Sequence, residues 1–140
     1  MSDLTTHGGG KARRFSWACH GDLIAIVNEK GRTHTYHLDE VFRIYSWLFQ
    51  KFDNGWFPLA NNVKKLGGNE EIAGLGVAIL SQRPGDIAHA QGASYLGVLL
   101  EDIGVLEWNL AKKGIQWRII KRVQSLDALR AKLHSSRRGI

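Results

Sequence analysis

The chain is poor in the residues that staple or break a fold. A single cysteine, Cys19, excludes an internal disulfide and favours a reducing compartment. Only two prolines occur, Pro58 and Pro84, which leaves long stretches free to form helix or strand. No apolar run approaches the roughly 20 residues that a membrane-spanning helix requires, so no membrane partner is expected. The opening residues through Gly10 are polar and glycine-rich and lack the apolar core of a signal peptide, so a cytoplasmic location is expected. Acid is missing from one stretch: there is none from Trp108 through Leu126.

What is present is a 140-residue chain, 44% hydrophobic and 23% charged, enough for one domain with a real core. Its net charge of +6 is unevenly spread. Residues 1–38 carry five Lys/Arg against three Asp/Glu, residues 39–107 five against nine, and residues 108–140 nine against one. Such segregation points to a face that meets a polyanion, although a solvated tail would show the same charge run.

Patterning predicts an α+β chain. Residues 1–13 hold Gly8-Gly9-Gly10 and little to bury, and are expected to form a disordered basic arm offering Lys11, Arg13 and the adjacent Arg14. Phe15–His20, Asp22–Asn28 and Arg32–Leu38 are short β-rich runs separated by glycine turns, the pattern of an antiparallel meander. A helix over 39–53 follows, with Asp39 as N-cap, a stripe of Val41, Ile44, Tyr45, Leu48, Phe49 and Phe52, and a stop at Asp53-Asn54-Gly55. The meander and this helix form a first unit, 14–57. Pro58 then fits the first turn of a short helix to Leu66, and Asn69 the cap of a helix from Glu70 to about Gln82. Gly74 and Gly76 inside that helix imply close approach of another element. A last helix, capped by Ser125 with Leu126, Leu129 and Leu133 on one face, belongs to a C-terminal helix and tail over 122–140.

Between these lies the most informative stretch. Asp86 can cap a helix beginning at Ile87-Ala88. Gly92 suits a tight turn with positive φ, Ser94 can cap the following helix, and Ile87 and Val98 point inward. Leu106, Trp108 and Leu110, then Ile115, Trp117 and Ile119, alternate with polar residues around the tip Ala111-Lys112-Lys113-Gly114. That alternation makes a two-stranded ribbon in which both tryptophan-bearing strands pair.

The spacing Ile87-Ala88, Gly92, Ser94, Val98, followed directly by a basic ribbon, resembles the winged helix-turn-helix superfamily of bacterial and archaeal regulators. The resemblance covers residues 70–120 in a unit of about 58–121, and matches no particular family. It implies a DNA-binding regulator, of a type that commonly binds as a homodimer, with base edges met by Gln91, Ser94 and Tyr95. Lys112, Lys113, Arg118, Lys121 and Arg122, with the arm, would contact phosphate. The second helix departs from the pattern: it is short and apolar, and carries Glu101 and Asp102 but no Lys or Arg. A reading of another class follows, a protein-interaction module that binds a partner through the helix 94–103 or through Leu126–Leu133.

Other constellations are weaker. Cys19, His20, His34 and His37 could approach one another on a meander, but His34 and His37, three apart on a strand, face opposite sides, so no metal is expected. Gly74-Leu75-Gly76 lacks both the third glycine and the leading strand of a dinucleotide fingerprint. Ser16, Ser94 and Cys19 have no base-and-orienter pair beside them, and Glu70/Glu71 and Glu101/Asp102 diverge on a helix; no enzyme and no cofactor is expected. Phe15, Trp17, Tyr36, Trp47, Trp56 and Phe57 could stack single-stranded bases, but their apolar stripes make them core.

Overall fold

The computed structural model describes residues 2–8, 12–62 and 72–135. The chain is mixed α+β. Four strands, β1 (Ser2–Thr5), β2 (Arg14–His20), β3 (Leu23–Asn28) and β4 (Thr33–His37), form an antiparallel sheet in that order. Helix α1 (Leu38–Phe52) follows, then β5 (Phe57–Pro58), α2 (Leu75–Gln82), α3 (Ile87–Ala90) and α4 (Ala93–Asp102). The ribbon β6 (Leu106–Trp108) and β7 (Gln116–Ile119) takes β5 as a third strand in the antiparallel order β5-β7-β6, and α5 (Leu126–Ser135) ends the described chain.

The meander and α1 form where period-2 and period-3.6 patterning predict them, with Val41, Ile44, Tyr45 and Leu48 buried. The first strand is a correction. Ser2–Thr5, expected within a disordered arm, pairs antiparallel with β2, Leu4 opposite Phe15 and Thr5 opposite Arg14. One apolar residue in four gives no alternation to read; the strand exists because the β2 edge offers it a ladder. Arg13 and Arg14 therefore sit on a paired edge, within reach of Glu29 (3.7 Å) and Asp3 (3.3 Å) respectively. Lys11 lies outside the described residues.

Three further expectations change. The N-cap of α1 is His37, not Asp39, which lies one residue into the helix and holds Arg43 at 3.0 Å, one turn on. Pro58 opens no helix: it lies in β5, the edge of the small sheet, where a residue without an N–H is tolerated. Residues 59–62 are not helical either; the rest of the expected helix, 63–66, and the proposed cap Asn69 lie outside the described residues, as do Glu70 and Glu71. Helix α2 starts at Leu75, and Ile72, expected on its buried face, is exposed. The close approach inferred at Gly74 and Gly76 is present. A Cβ at either would lie 2.4 Å and 2.3 Å from the carbonyl oxygens of Pro58 and Ala60, and the Gly76 N–H donates to Leu59.

The element that joins the molecule is α4. No residue of it is exposed. On one side the four-stranded sheet presents Phe15 edge-on to Tyr95 at 5.1 Å, His34 beside the same ring, and Trp17, whose indole N–H donates to Asp102. On the other side the ribbon lays Trp117 across Gly97, and the indole N–H donates to Glu101 one turn further along. A Cβ at Gly97 would meet the Trp117 ring at 2.5 Å, so glycine here is a requirement of packing.

A buried polar knot ties α1 to the helix pair. Glu40, 3% exposed, lies 2.7 Å from His89 Nε2 and 3.4 Å from Arg83 Nε. Tyr36, whose phenol is pushed up by burial and then by Glu40, donates to the His89 carbonyl and lies tilted against its ring at 4.6 Å. Asp86 caps α3 as expected, accepting from the His89 N–H.

Two outcomes follow. Gly97→Ala will lower unfolding stability by about 1–3 kcal/mol, since the added methyl displaces a fully buried indole, and urea denaturation measures this. The His34 imidazole is held below its ordinary range by burial, then by His89 and Arg32. The unfolded chain therefore binds that proton more tightly, and stability is lost as pH falls through the unfolded value of about 6.5, levelling below the folded one. Urea titrations at about pH 7.5 and 5.5 will show a smaller pH-dependent loss in His34→Gln than in the parent.

Candidate nucleic-acid interface

The ribbon tip is built by a residue that patterning did not single out as special. Asn109 ends β6. Its carbonyl oxygen accepts from the Ala111 and Gln116 backbone N–H groups, both at 3.2 Å, while its amide donates to the Gly114 carbonyl at 3.1 Å. The Trp108 indole N–H closes the turn on the Ala111 carbonyl. Gly114 takes φ +73, as the loop demands, and Leu110 also adopts a positive φ. Leu110 leaves the buried side of the ribbon and is 77% exposed. The hairpin register is as read from the alternation: Leu106 faces Ile119 and Trp108 faces Trp117.

This scaffold displays Lys112 and Lys113, both exposed. Among the described residues no carboxylate pairs with Lys112, Lys113, Lys121 or Arg122. Arg118 is different: it pairs with Glu107 across the ribbon at 3.2 Å, its guanidinium lies 4.9 Å over Trp56, and its buried Nε has no partner. Arg122 sits 5.0 Å over Phe49.

The basic residues therefore divide between two hollows. Lys112 and Lys113 line a cleft of about 660 Å³ that also reaches Ser94, Asn61, His7 and Trp117. Arg118 and Arg122 line a separate groove with Phe49, Asp53 and Ile120. Of the residues expected to face bases, Ser94 does share a surface with the lysine tip. Gln91 is exposed but does not line the cleft; its backbone carbonyl accepts from Asn61, which does. Tyr95 points the other way, into the four-stranded sheet. Two expected devices also differ. Gly92 has φ −75, so no left-handed turn requires it; a Cβ there would lie a tight 3.1 Å from the Tyr36 hydroxyl. Ser94 does not cap α4; Gly92 occupies that position without a side-chain bond.

The acidic pair that breaks the regulator pattern has a structural task. Glu101 and Asp102 accept indole protons from opposite sheets, and Glu101 also holds His7, at 2.5 Å, which stacks on Trp108 at 3.5 Å. The sequence signal was available: buried tryptophans need acceptors for their N–H groups, and an apolar helix with two carboxylates at its end can supply them.

Other chemistry is not assembled. Among the described residues no three His, Cys, Asp or Glu side chains are placed to hold a metal, and no helix is long and apolar enough to cross a membrane. Cys19 is buried beside His134 at 3.8 Å, and burial, then Asp22, pushes its thiol up, away from nucleophilic use. No family model, no curated protein and no solved structure matches the chain.

Asn109→Ala removes three side-chain hydrogen bonds from one turn. It will cost about 1–3 kcal/mol in urea denaturation, and amide exchange at Ala111 and Gln116 will accelerate, whereas exchange in β2 and β3 will follow only the global change.

Proposed function

We propose that the chain is a small DNA-binding protein, a transcriptional regulator built on a winged helix-turn-helix, that holds duplex phosphates with its ribbon rather than reading bases with α4. The observation that carries this is the set of exposed cations, Lys112, Lys113, Lys121 and Arg122, left without a carboxylate partner along a segment free of acid. The tight connection between α3 and α4 and the ribbon directly after it support the winged-helix part of the reading. Base readout by α4 has no support, because the face a groove would need is occupied by Phe15, Trp17 and His34. Phosphate contacts supply affinity without sequence information, so binding is general and salt-sensitive. Arg118, already paired with Glu107, contributes less than the tip lysines.

The alternative, docking of a protein partner, loses the surfaces first considered for it: α4 is enclosed, and Leu129 and Leu133 are buried. The exposed Trp56 and Ile120 beside Arg118 and Arg122 are what would remain for it.

Fluorescence anisotropy with labelled duplexes of unrelated sequence tests the proposal. Affinity is expected to vary little among sequences and to fall steeply with salt. Lys112→Glu with Lys113→Glu will weaken binding by tenfold or more and flatten the log–log salt slope by about two. Absence of binding in low salt, or indifference to that double substitution, overturns it.

A further inference from the structure

The cleft beneath the lysine tip has the build of a small-molecule site, and we infer that it takes a flat aromatic anion: one or two fused rings carrying a carboxylate or a phosphate. Its volume, about 660 Å³, falls in the range of roughly 300–1,000 Å³ typical of ligand sites. The floor is apolar and fixed. Half-buried Leu59 and Ile115, joined through the Leu59 N–H on the Ile115 carbonyl, provide its accessible surface, and beneath them Trp117, 1% exposed, is pinned by Gly97 and by its bond to Glu101. A planar ring fits such a floor better than a hydrated group, because the aliphatic side chains offer area but no hydrogen bonds there.

The rim sets the charge. Lys112 and Lys113 stand at one side without carboxylate partners, and no Asp or Glu among the described residues lines the cleft. The Ser94 hydroxyl, half-buried in the wall, has no hydrogen-bond partner among the described residues. Two of its neighbours each already make one bond: the Thr6 hydroxyl accepts from the Arg13 N–H, and the Asn61 amide donates to the Gln91 carbonyl. A free hydroxyl and two free ammonium groups over an apolar floor are donors waiting for acceptors on a ligand whose body is hydrophobic. The wall itself is preformed, since His7 is clamped between Glu101 and the Trp108 ring. This site is independent of whether the ribbon carries DNA, although both would use the same lysines.

The test uses the full chain, labelled with nitrogen-15, and three probes: 2-naphthoate, adenosine 5′-monophosphate and the neutral 2-naphthamide. The Trp117 indole N–H resonance, assigned with Trp117→Phe, reports occupancy. At least one of the two anions is expected to shift it with a sub-millimolar Kd, the carboxylate or the phosphate probe showing which acid the rim prefers. Naphthamide will bind about tenfold or more weakly than the better anion, for lack of charge-assisted bonds. Lys112→Gln with Lys113→Gln will abolish the preference for the anion, and Asn61→Trp, which fills the mouth, will abolish binding of all three. No shift with either anion, equal affinity for naphthamide, or binding that survives Asn61→Trp in a folded protein overturns the inference. None of these readouts involves DNA, so they stand apart from the anisotropy experiment.

Discussion

The contact between Trp117 and Gly97 is what the architecture depends on. A four-stranded sheet and a three-stranded sheet cannot both reach one helix unless that helix presents a nearly smooth side to the bulkier partner. Gly97 provides that side, and the ring lies where a side chain would otherwise stand. Once the indole is in place, its N–H needs an acceptor, and Glu101 is one turn away. The same carboxylate fixes His7, and His7 in turn covers Trp108. Close packing and polar satisfaction are solved together, by residues on one helix.

Glu40 plays the corresponding part at the other end. A carboxylate nearly sealed from water is tolerable only with charge-bearing or donor partners, and His89 and Arg83 supply them from two different elements. Its place in the first turn of α1 adds the favourable field of the helix N-terminus. One knot thus ties α1 to α3 and Arg83, while the other, at Glu101 and Asp102, anchors α4 between the two sheets.

Much of the secondary structure was legible in the residues. The strands of the meander, the stripe of α1, the cap at Asp86, the cap at Ser125, whose hydroxyl accepts from the Ala128 N–H, and the ribbon register all follow from local pattern. What was not legible is non-local. β1 owes its existence to a neighbour edge, and Pro58 to a strand nearly sixty residues later. The enclosure of α4 was not legible for the same reason: it comes from two sheets whose strands lie far from it in the chain. Ser94 and the lysine tip were correctly expected to share a surface, whereas Tyr95 was drawn away by Phe15 and His34.

The enclosure of α4 also has a consequence for how the chain is made. The inner side of the first sheet, with Phe15 and Trp17, is complete once residue 37 has emerged, yet its covering helix ends at residue 102 and is itself covered only by residue 117. During synthesis the early sheet must wait, apolar side bare, for most of the polypeptide to leave the ribosome. Closure of this part of the core depends on residues far apart in the chain, and by loop-closure entropy it is slower than closure of the local meander.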